Sequence, residues 1–457
     1  MSPYAVVVLV YFGVIVLISL FTRRLAGRSA ADFLIAGRNL GTLVCAVVVA
    51  AEWLGGMSTV GVSEKAFSTG TLQPALYNIA TAAGMVIIGF TVARHYREKH
   101  VHTVSEMLEV LFGTQARRVS AIAFLIAYVT LSYVQLQTCA SIISPLFDIG
   151  WLSAVLISAG IITVYMYVGG MHAIALVGVI HVVVMFVGVG LALAIGLTRI
   201  GGLGELQGEF NPFSGDLGYA FSLLLGGILG GMAGQASIQP IFAAKNPEVA
   251  KRAALVSALI IAPFGIVVGL LGLIGRSGAF FDPASVSDAK MILPRLFTTP
   301  ELIPPALGGL ALAGILAAVL STVGPVNFAL VTIATKDIYQ GILRRGAGDR
   351  EILRTARRLV VLVSIVTVPL AAFMKGAILD AAYVSYAIRA IGAIVILLGI
   401  YARGWVDEFS VKLAFIGGTA AVFVCLIAGR MGWFEMDKTY GAVIFAVLFL
   451  IIGRLRR

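Results

Sequence analysis

Charged side chains are scarce in this sequence. Asp, Glu, Lys and Arg make up 12% of the 457 residues, whereas a soluble globular domain carries about 25%. Hydrophobic residues make up 60%, and the mean hydropathy is +1.01. Many apolar runs reach the roughly 18 residues that a membrane-spanning helix requires. A soluble globular protein is therefore excluded, and the sequence predicts an all-α polytopic membrane protein.

The sequence also lacks the residue sets of common enzyme classes. Its three cysteines, Cys45, Cys139 and Cys425, lie in or beside apolar segments, without metal-ligand spacing or a disulfide framework. No paired carboxylates, His-rich set or activated nucleophile falls within an apolar segment. We therefore expect a protein that is not an enzyme.

Thirteen apolar segments are predicted to span the membrane. Their approximate limits are 4–22, 40–64, 72–94, 119–146, 150–168, 173–197, 218–243, 252–276, 303–335, 356–374, 377–401, 409–429 and 438–455. The first segment has no signal-peptidase cleavage pattern and is retained as a helix. The longest loops on the predicted outer side, near 199–217 and 277–300, are too short to fold alone, so the function is expected within the membrane bundle.

Lys and Arg are concentrated in alternate loops. If the N-terminus is outside, the cytoplasmic loops hold 23 of the 33 Lys and Arg residues and the opposite loops hold eight. The net charge of +11 is then a signal of topology, and no nucleic-acid partner is expected. We predict a multi-pass protein of the cell membrane (plasma or inner) with its N-terminus outside and its C-terminus in the cytoplasm.

Two of the apolar segments are interrupted in the same way. The stretch AAEWLGGMSTVG (Ala50–Gly61) lies in the second segment, and GGILGGMAGQASIQP (Gly226–Pro240) lies in the seventh. Segments two to six and seven to eleven therefore form two five-helix sets of opposite topology. Irregular backbone survives in hydrocarbon only inside protein or beside a polar cavity, and paired interrupted helices indicate a transporter's binding site. The alternative is that the glycines only permit close helix packing.

Other polar residues lie within apolar segments. In LAAVLSTVGPVN (Leu316–Asn327), the hydroxyls of Ser321 and Thr322 could join backbone carbonyls in a sodium site, or bond back to their own helix. Glu52 and Arg389 are ionisable residues in predicted spans and are functional candidates. Arg389 could bind a solute carboxylate through two hydrogen bonds, or it could form an ion pair with Glu52.

Seven segments together resemble one known family. They are ADFLIAGRNL (Ala31–Leu40), EWLGGMSTVG (Glu52–Gly61), HTVSEMLEVLFG (His102–Gly113), YVGGMHAIALVGVIH (Tyr167–His181), SIQPIFAAKNPEVAKRAAL (Ser237–Leu255), LAAVLSTVGPVN (Leu316–Asn327) and TKDIYQ (Thr335–Gln340). Their order resembles that in the sodium/solute symporters, which include bacterial proline, pantothenate and sialic acid carriers and animal glucose and choline carriers. The resemblance runs through nearly the whole chain.

The resemblance implies a LeuT-like fold with two inverted five-helix repeats. The whole chain, 1–457, would form a single transmembrane transporter domain. Its parts would be an extra N-terminal helix and loop at 1–39, a first repeat at 40–197, an inverted second repeat at 218–401 and two C-terminal helices at 402–457.

The resemblance also implies a sodium site. Its ligands would be the carbonyl oxygens of Ala51, Leu54 and Ala318 and the hydroxyls of Ser321 and Thr322. Some family members have a second sodium site. Here Gly178 stands in place of its carboxylate, and Gly324 and Pro325 stand at its later positions, so we predict one Na⁺.

The solute pocket of the family lies between the two interrupted helices. The matching positions here are Trp53, Met57, Tyr77, Gln137 and Gln235, with Arg389 as a further candidate. In the choline-carrier relatives, the equivalent of Trp53 contributes to an aromatic cage for a quaternary ammonium group. Glu52 and His181 are assigned as structural or coupling charges: His181 could relay protons, or it could be a packed, hydrogen-bonded side chain.

These features predict a secondary active transporter that couples one Na⁺ to a small organic solute by alternating access. An amino acid, a betaine-like zwitterion or a small carboxylate is favoured, and polar sugars remain open. One alternative is H⁺ coupling through Glu52 or His181. A membrane sensor is disfavoured because the chain ends directly after the last span. The expected partners are the solute, Na⁺ and the lipid bilayer, without an obligate protein partner.

Overall fold

The structure is a computed structural model that describes residues 2–374 and 378–456. In chain order the first nine α-helices are α1 (Pro3–Ala26), α2 (Ala30–Ile35), α3 (Thr42–Trp53), α4 (Val62–Thr69), α5 (Leu76–Thr91), α6 (Ala93–Glu98), α7 (Val104–Phe112), α8 (Thr114–Phe147) and α9 (Trp151–Ile200). The next nine are α10 (Leu217–Met232), α11 (Gln235–Phe242), α12 (Pro247–Arg276), α13 (Ile292–Phe297), α14 (Pro305–Ile333), α15 (Asp349–Phe373), α16 (Ile378–Tyr401), α17 (Glu408–Met431) and α18 (Lys438–Leu455).

Eleven helices in the described residues are long and apolar enough to span a membrane, or twelve if the broken pair Thr42–Trp53 and Met57–Thr69 is counted as one span. The multi-pass, all-helical fold class is confirmed, but the count of thirteen spans stays a prediction. The difference lies at α9, where Gly170 has non-helical dihedrals (φ 50°, ψ −141°). A straight helix of 50 residues would be roughly 75 Å long, about twice what a bilayer needs. The predicted span start at residue 377 lies outside the described residues.

The buried share of each spanning helix identifies α14 as the central helix of the bundle. In the span Pro305–Leu343, 83% of the most apolar window is buried, whereas in Asp349–Phe373 the share is 22%. Helix α14 therefore lies at the centre of the protein and α15 at its lipid-facing edge. A membrane helix that is buried on every side can carry polar residues only where other protein groups satisfy them, which makes the polar residues of α14 informative.

The first break follows α3. Helix α3 ends at Trp53, and a π-helical turn, Met57–Gly61, leads into α4 at an angle of 57° to α3. Gly55 lies in the gap, where a Cβ atom would overlap the side chain of Thr322 on α14. The glycine is required here because it lets α14 approach the broken backbone directly.

The second break separates α10 from α11. Helix α10 ends at Met232, and α11 starts at Gln235 after the non-helical residues Ala233 and Gly234. Both predicted segments are therefore interrupted in the structure, at residues 54–56 and 233–234. The second break lies after the pair Gly230 and Gly231, which belongs to α10.

Two isolated parallel bridges join the outer ends of the broken helices. One pairs Leu40, before α3, with Ala244, after α11; the other pairs Thr71, after α4, with Glu209, before α10. The first bridge joins the start of the first broken helix to the end of the second, and the other bridge joins the end of the first to the start of the second. Two inverted repeats require this reciprocal arrangement. We call the side of Leu40 the inner side, because the charge bias predicts it to be cytoplasmic.

The close approach at Gly55 predicts a large effect of a single methyl group. Gly55→Ala is expected to lower stability by about 1–3 kcal/mol, because the new Cβ overlaps Thr322 and neither backbone can retreat easily. Gly41→Ala is the matched control, since a Cβ at that position meets nothing within 4 Å. The melting temperature of the purified protein in detergent measures both. Equal melting temperatures for the two variants would contradict the packing described here.

Candidate functional site

The two adjacent hydroxyls of α14 contact the carboxyl end of α3. Ser321 Oγ lies 2.6 Å from the carbonyl oxygen of Ala51 and 2.7 Å from that of Ala318. Thr322 Oγ1 donates to the carbonyl oxygen of Glu52 at 2.5 Å and lies 3.4 Å from that of Ala51. Both hydroxyl residues are 3% exposed. We call this contact the α3–α14 seam.

The chemistry of the seam suits a hard monovalent cation. Two hydroxyl protons face three carbonyl oxygens, so acceptors outnumber donors. The last carbonyl groups of a helix lack partners within that helix and carry partial negative charge. All these ligands are neutral oxygens, which favour hard cations. Among the residues that the structure describes, no group of three His, Cys, Asp or Glu side chains could hold a metal ion.

Four of the five predicted sodium ligands meet at this seam. They are Ala51, Ala318, Ser321 and Thr322. In the described hydrogen bonds, Thr322 contacts the Glu52 carbonyl and not that of Leu54. The reason is the early end of α3, which leaves Leu54 in the turn beyond the helix. The carbonyl oxygen of Glu52 is therefore a further oxygen at this seam that the sequence did not indicate.

The region that would hold a second sodium site is filled by a tyrosine. A Cβ at Gly324 would overlap the phenol of Tyr165, whose hydroxyl lies 3.4 Å from the carbonyl oxygen of Leu320. Gly178, at the position of the family's carboxylate, faces the apolar atoms of Val48 and Ala51. These contacts support the prediction of a single sodium site but do not test it.

An aromatic cluster lies beside the first break. Trp53 packs edge-on against Tyr386 of α16, with ring centroids 5.8 Å apart. The hydroxyls of Tyr77 and Tyr386 lie 2.6 Å apart, and Tyr383 stacks on Tyr386 at 5.2 Å. Tyr128 of α8 joins them, and its hydroxyl oxygen accepts a hydrogen bond from the backbone N–H of Ala236 at 3.0 Å. We call these rings the aromatic box. Its five members are Trp53, Tyr77, Tyr128, Tyr383 and Tyr386.

Arg389 occupies the centre of the aromatic box. Its guanidinium carbon lies 4.8 Å from the ring centroid of Tyr386, 5.3 Å from that of Trp53 and 5.5 Å from that of Tyr128. The side chain is 0% exposed, and none of its three guanidinium nitrogens has a hydrogen-bond partner among the described residues. A Cβ at Gly234 would overlap this guanidinium, so Arg389 also touches the second break.

The predicted ion pair between Glu52 and Arg389 is not formed. Both residues are described, and no hydrogen bond or ion pair within 4.0 Å joins them; Glu52 Oε2 is buried without a partner, as are the guanidinium nitrogens. The physical reason is that the rings of Trp53, Tyr128 and Tyr386 surround the guanidinium and hold it by cation–π contacts.

Two of the predicted pocket residues, Gln137 and Gln235, are not members of the aromatic box. Gln137 donates to the carbonyl oxygens of Ala371 (3.2 Å) and Met374 (2.5 Å) at the end of α15. Gln235 accepts from the N–H of Val104 and donates to the carbonyl of His102. Each amide satisfies backbone groups of a neighbouring segment, so neither is available to a solute in this conformation. Met57 is buried in the turn after the first break.

Several residues of the site were not predicted from the sequence. Tyr383 and Tyr386 precede Arg389 at intervals of three, which places all three on one face of α16, and this signal was available. Tyr128 has no comparable signal. Gln135 accepts a hydrogen bond from the N–H of Gly56 at 3.0 Å and satisfies the first break.

His181 is hydrogen-bonded through Nδ1 to the hydroxyl of Tyr11 on α1. It is 2% exposed and packs against the Tyr11 ring. This geometry agrees with the packed, hydrogen-bonded alternative for His181 and links the N-terminal helix to α9.

The inner side is closed by contacts through α7. Gln235 binds the backbone at His102 and Val104, as described above, and Thr103 Oγ1 donates to the buried Asp337 at 2.9 Å. Arg117 of α8 forms ion pairs with Glu106 (3.0 Å), Glu109 (2.6 Å) and Asp337 (2.8 Å). Helix α7 and the residues just before it therefore tie the second broken helix to α8 and to the π-helical segment Ala334–Leu343, which follows α14. We call this set the inner clamp.

Glu106 remains ionised in the inner clamp. Burial by itself would raise the pKa of this carboxyl group. The hydrogen bond from His102 and the positive charges of His102, Lys336 and Arg117 outweigh burial and lower the pKa to about 2. The ionised form of Glu106, which pairs with Arg117, is therefore favoured.

Comparisons with known proteins agree on one family. The family model described as "Sodium:solute symporter family" matches residues 33–417. The chain is 26% identical over 419 residues to the osmoregulated proline transporter OpuE of Bacillus subtilis (strain 168), over 87% of this chain and 84% of that protein. It is 25% identical over 344 residues to the high affinity choline transporter 1 of Homo sapiens, over 71% of this chain and 59% of that protein.

A solved structure supports the fold. A Na⁺-coupled sialic acid symporter in a substrate-bound outward-open state matches with a TM-score of 0.83 at 16% identity, over 100% of this chain and 97% of that chain. The predicted LeuT-like fold is thereby confirmed. The family and these relatives are transporters and not enzymes, as predicted.

The inner clamp predicts that Gln235 restrains opening on the inner side. Cys45 of α3 is a native reporter, because its buried thiol donates to the carbonyl of Pro240 in α11 at 3.1 Å. Gln235→Ala removes two hydrogen bonds worth about 1 kcal/mol each, so the open population should rise roughly 30-fold. Maleimide labelling of Cys45 should accelerate accordingly in a background of Cys139→Ala and Cys425→Ala.

Gln137→Ala provides the matched control for this experiment. Gln137 is the same residue type, and it is also buried and hydrogen-bonded to backbone carbonyls, but it contacts α15 and not the inner clamp. Its replacement should leave the labelling rate of Cys45 unchanged. The assignment of Gln235 to the clamp fails if both variants label at the rate of the background protein.

Proposed function

This chain belongs to the sodium:solute symporter family, and on that premise we propose that it is a secondary active transporter that moves one Na⁺ together with one small organic solute. Transport is by alternating access, in which the bound ion and solute bias the same conformational equilibrium. The solute is a small molecule that carries a carboxylate, as an amino acid, a betaine-like zwitterion or a simple carboxylate.

The observation that carries this proposal is the α3–α14 seam. Na⁺ bound by the oxygens of Ala51, Glu52, Ser321 and Thr322 would link the first broken helix to the central helix. Separation of α3 from α14 would divide this ligand set and release the ion. Sodium therefore favours conformations in which the seam is closed.

The solute position lies in the aromatic box, between the two breaks. Trp53, Tyr77 and Tyr386 are all at most 2% exposed, so a solute held there would be shielded from both sides of the membrane. The box adjoins the seam through Trp53, which directly follows Glu52. Ion and solute thus share one segment of broken backbone, which gives a physical route for coupling.

The repeats supply the moving parts. We place the first repeat at 40–197 and the inverted second repeat at 218–401, with 1–39 and 402–457 outside them. The exchange symmetry of the Leu40–Ala244 and Thr71–Glu209 bridges supports this division. The protein is placed in the cell membrane, with the N-terminus outside.

Proton coupling is the second candidate. It is favoured by Glu52, whose Oε2 atom is buried without a hydrogen-bond partner among the described residues, and is not favoured by His181, whose Nδ1 is engaged by Tyr11. Solute uptake that follows a pH gradient in sodium-free buffer would select it over sodium coupling.

Removal of both seam hydroxyls should abolish sodium dependence. In Ser321→Ala/Thr322→Ala, we expect sodium-stimulated uptake into proteoliposomes to fall by about tenfold or more, because two charge-assisted ligands are lost at roughly 1.5–3 kcal/mol each. The same variant should lose its thermal stabilisation by Na⁺ relative to K⁺. Both measurements use the purified full-length chain.

The matched control is Ser257→Ala/Thr367→Ala. These two buried hydroxyls bond to carbonyls of their own helices, those of Ala254 and Val363. The control should keep the sodium response of the unmodified protein. A seam variant that responds to Na⁺ as the control does would refute the sodium site.

A further inference from the structure

The aromatic box contains buried hydrogen-bond donors without acceptors. Arg389 Nε, Nη1 and Nη2 and Trp53 Nε1 have no partner among the residues that the structure describes. Both side chains are at most 1% exposed, so bulk water does not serve them. A buried donor left unsatisfied is costly, and a buried charge more so. The ligand that completes this site must therefore supply acceptors, and preferably a negative charge.

The box is already occupied by a cation. Three aromatic faces are the usual receptor for a quaternary ammonium group, but here the guanidinium of Arg389 lies within 5.5 Å of all three ring centroids. A cationic solute would have to displace or repel a fixed positive charge. The same rings that would bind an ammonium group in an empty cage here disfavour one.

The charges around the box can be counted. Arg389 contributes one positive charge to the closed site, and Na⁺ at the seam would add a second. A monoanion lowers this positive sum by one, a zwitterion leaves it unchanged, and a cation raises it by one. In a site closed to water, the combination with the lowest net charge is favoured.

We propose that the solute is a monocarboxylate with no cationic group, held by the guanidinium of Arg389 and carried with one Na⁺ in an electroneutral cycle. This proposal rests on the sodium-coupled function proposed above and specifies the solute class of the same site. The planar guanidinium can donate two parallel hydrogen bonds to a carboxylate. The body of the solute would pack against the rings of the box.

The position of Arg389 also explains how such a solute would drive closure. The guanidinium touches Gly234 at the second break and Trp53 at the first. A carboxylate bound there would neutralise the charge on which both broken helices converge. Na⁺ and the carboxylate should therefore increase each other's affinity, as linkage requires.

The test uses thermal stabilisation of the purified full-length protein in saturating Na⁺. The probes are monocarboxylates of two to eight carbon atoms, unbranched and branched, each paired with its primary amide and its primary amine. The trio of 3,3-dimethylbutanoate, glycine betaine and choline shares one branched body of nearly equal size and compares an anion, a zwitterion and a cation. We expect at least one carboxylate to stabilise at about tenfold lower concentration than its amide and amine, and 3,3-dimethylbutanoate to exceed betaine and choline.

Variants of Arg389 connect this preference to the residue. Arg389→Gln should remove the preference for carboxylate over amide, and Arg389→Lys should retain part of it, because lysine keeps the charge but lacks the planar fork. The proposal is overturned if no carboxylate in the series shows the preference, if betaine or choline binds more tightly than 3,3-dimethylbutanoate, or if Arg389→Gln retains the full preference.

A second measurement needs no variant and remains decisive if Arg389→Gln does not fold. Initial uptake of the best carboxylate is measured in proteoliposomes with and without an inside-negative potassium diffusion potential of 100 mV. An electroneutral cycle changes by less than about twofold, whereas net movement of one positive charge accelerates uptake severalfold, to a limit of about 50-fold. Severalfold acceleration would overturn the proposal.

Failure of the solute class can be distinguished from failure of sodium coupling. Stabilisation by Na⁺ over K⁺, measured without any solute, depends on the seam and not on Arg389. If that stabilisation is present and the carboxylate preference is absent, only the solute class is wrong. If Na⁺ does not stabilise the unmodified protein, the proposed function itself fails.

Discussion

The contact between two hydroxyls and the open end of a helix organises this protein. Helix α3 stops at Trp53, about halfway along its span, and leaves carbonyl groups that no residue of the same helix can satisfy. Ser321 and Thr322 reach these carbonyls because Gly55 lets α14 approach without a side chain between them. A helix end in the membrane interior would otherwise cost several kcal/mol for each unsatisfied group. The same contact that satisfies the break therefore also collects oxygens that suit Na⁺.

Both breaks are stabilised by hydrogen bonds from several other helices. The N–H of Gly56 is satisfied by Gln135, and the N–H of Ala236 by the hydroxyl of Tyr128. At the ends of the broken helices, the Leu40–Ala244 and Thr71–Glu209 bridges join the two breaks on opposite sides. These partners belong to different helices, so relative movement of the helices must exchange them. A broken helix stabilised by neighbours is thus intrinsically sensitive to the conformation of the bundle.

The sequence predicted the features that are marked by neighbouring residues in the chain. It did not predict those that depend on which face of a helix is turned towards the centre of the bundle. Glycine pairs and adjacent hydroxyls are conspicuous in an apolar run, so both breaks and the Ser321–Thr322 pair could be identified from the order of residues alone. Tyrosines are ordinary residues in membrane helices, and whether Tyr128 or Tyr386 faces the centre is decided by packing. Gln137 and Gln235 were assigned to the pocket because they match pocket positions of the family that the sequence resembles, but backbone groups of α15 and of the start of α7 satisfy their amides. Polarity predicts that a partner exists without predicting which one.

The buried charge of Arg389 would disfavour transport of Na⁺ without a solute in the proposed cycle. Cation–π contacts with three rings recover roughly 2 kcal/mol each when desolvated, but the effective cost of burying an ion is several kcal/mol and increases when it lacks hydrogen bonds. In the proposed cycle, Na⁺ without an anion would place a second positive charge near the first. Closure around Na⁺ alone is therefore disfavoured, and closure around Na⁺ with a carboxylate is not. In the proposed cycle, tight coupling would then follow from the electrostatics of a dry site, without a separate gate that recognises the solute.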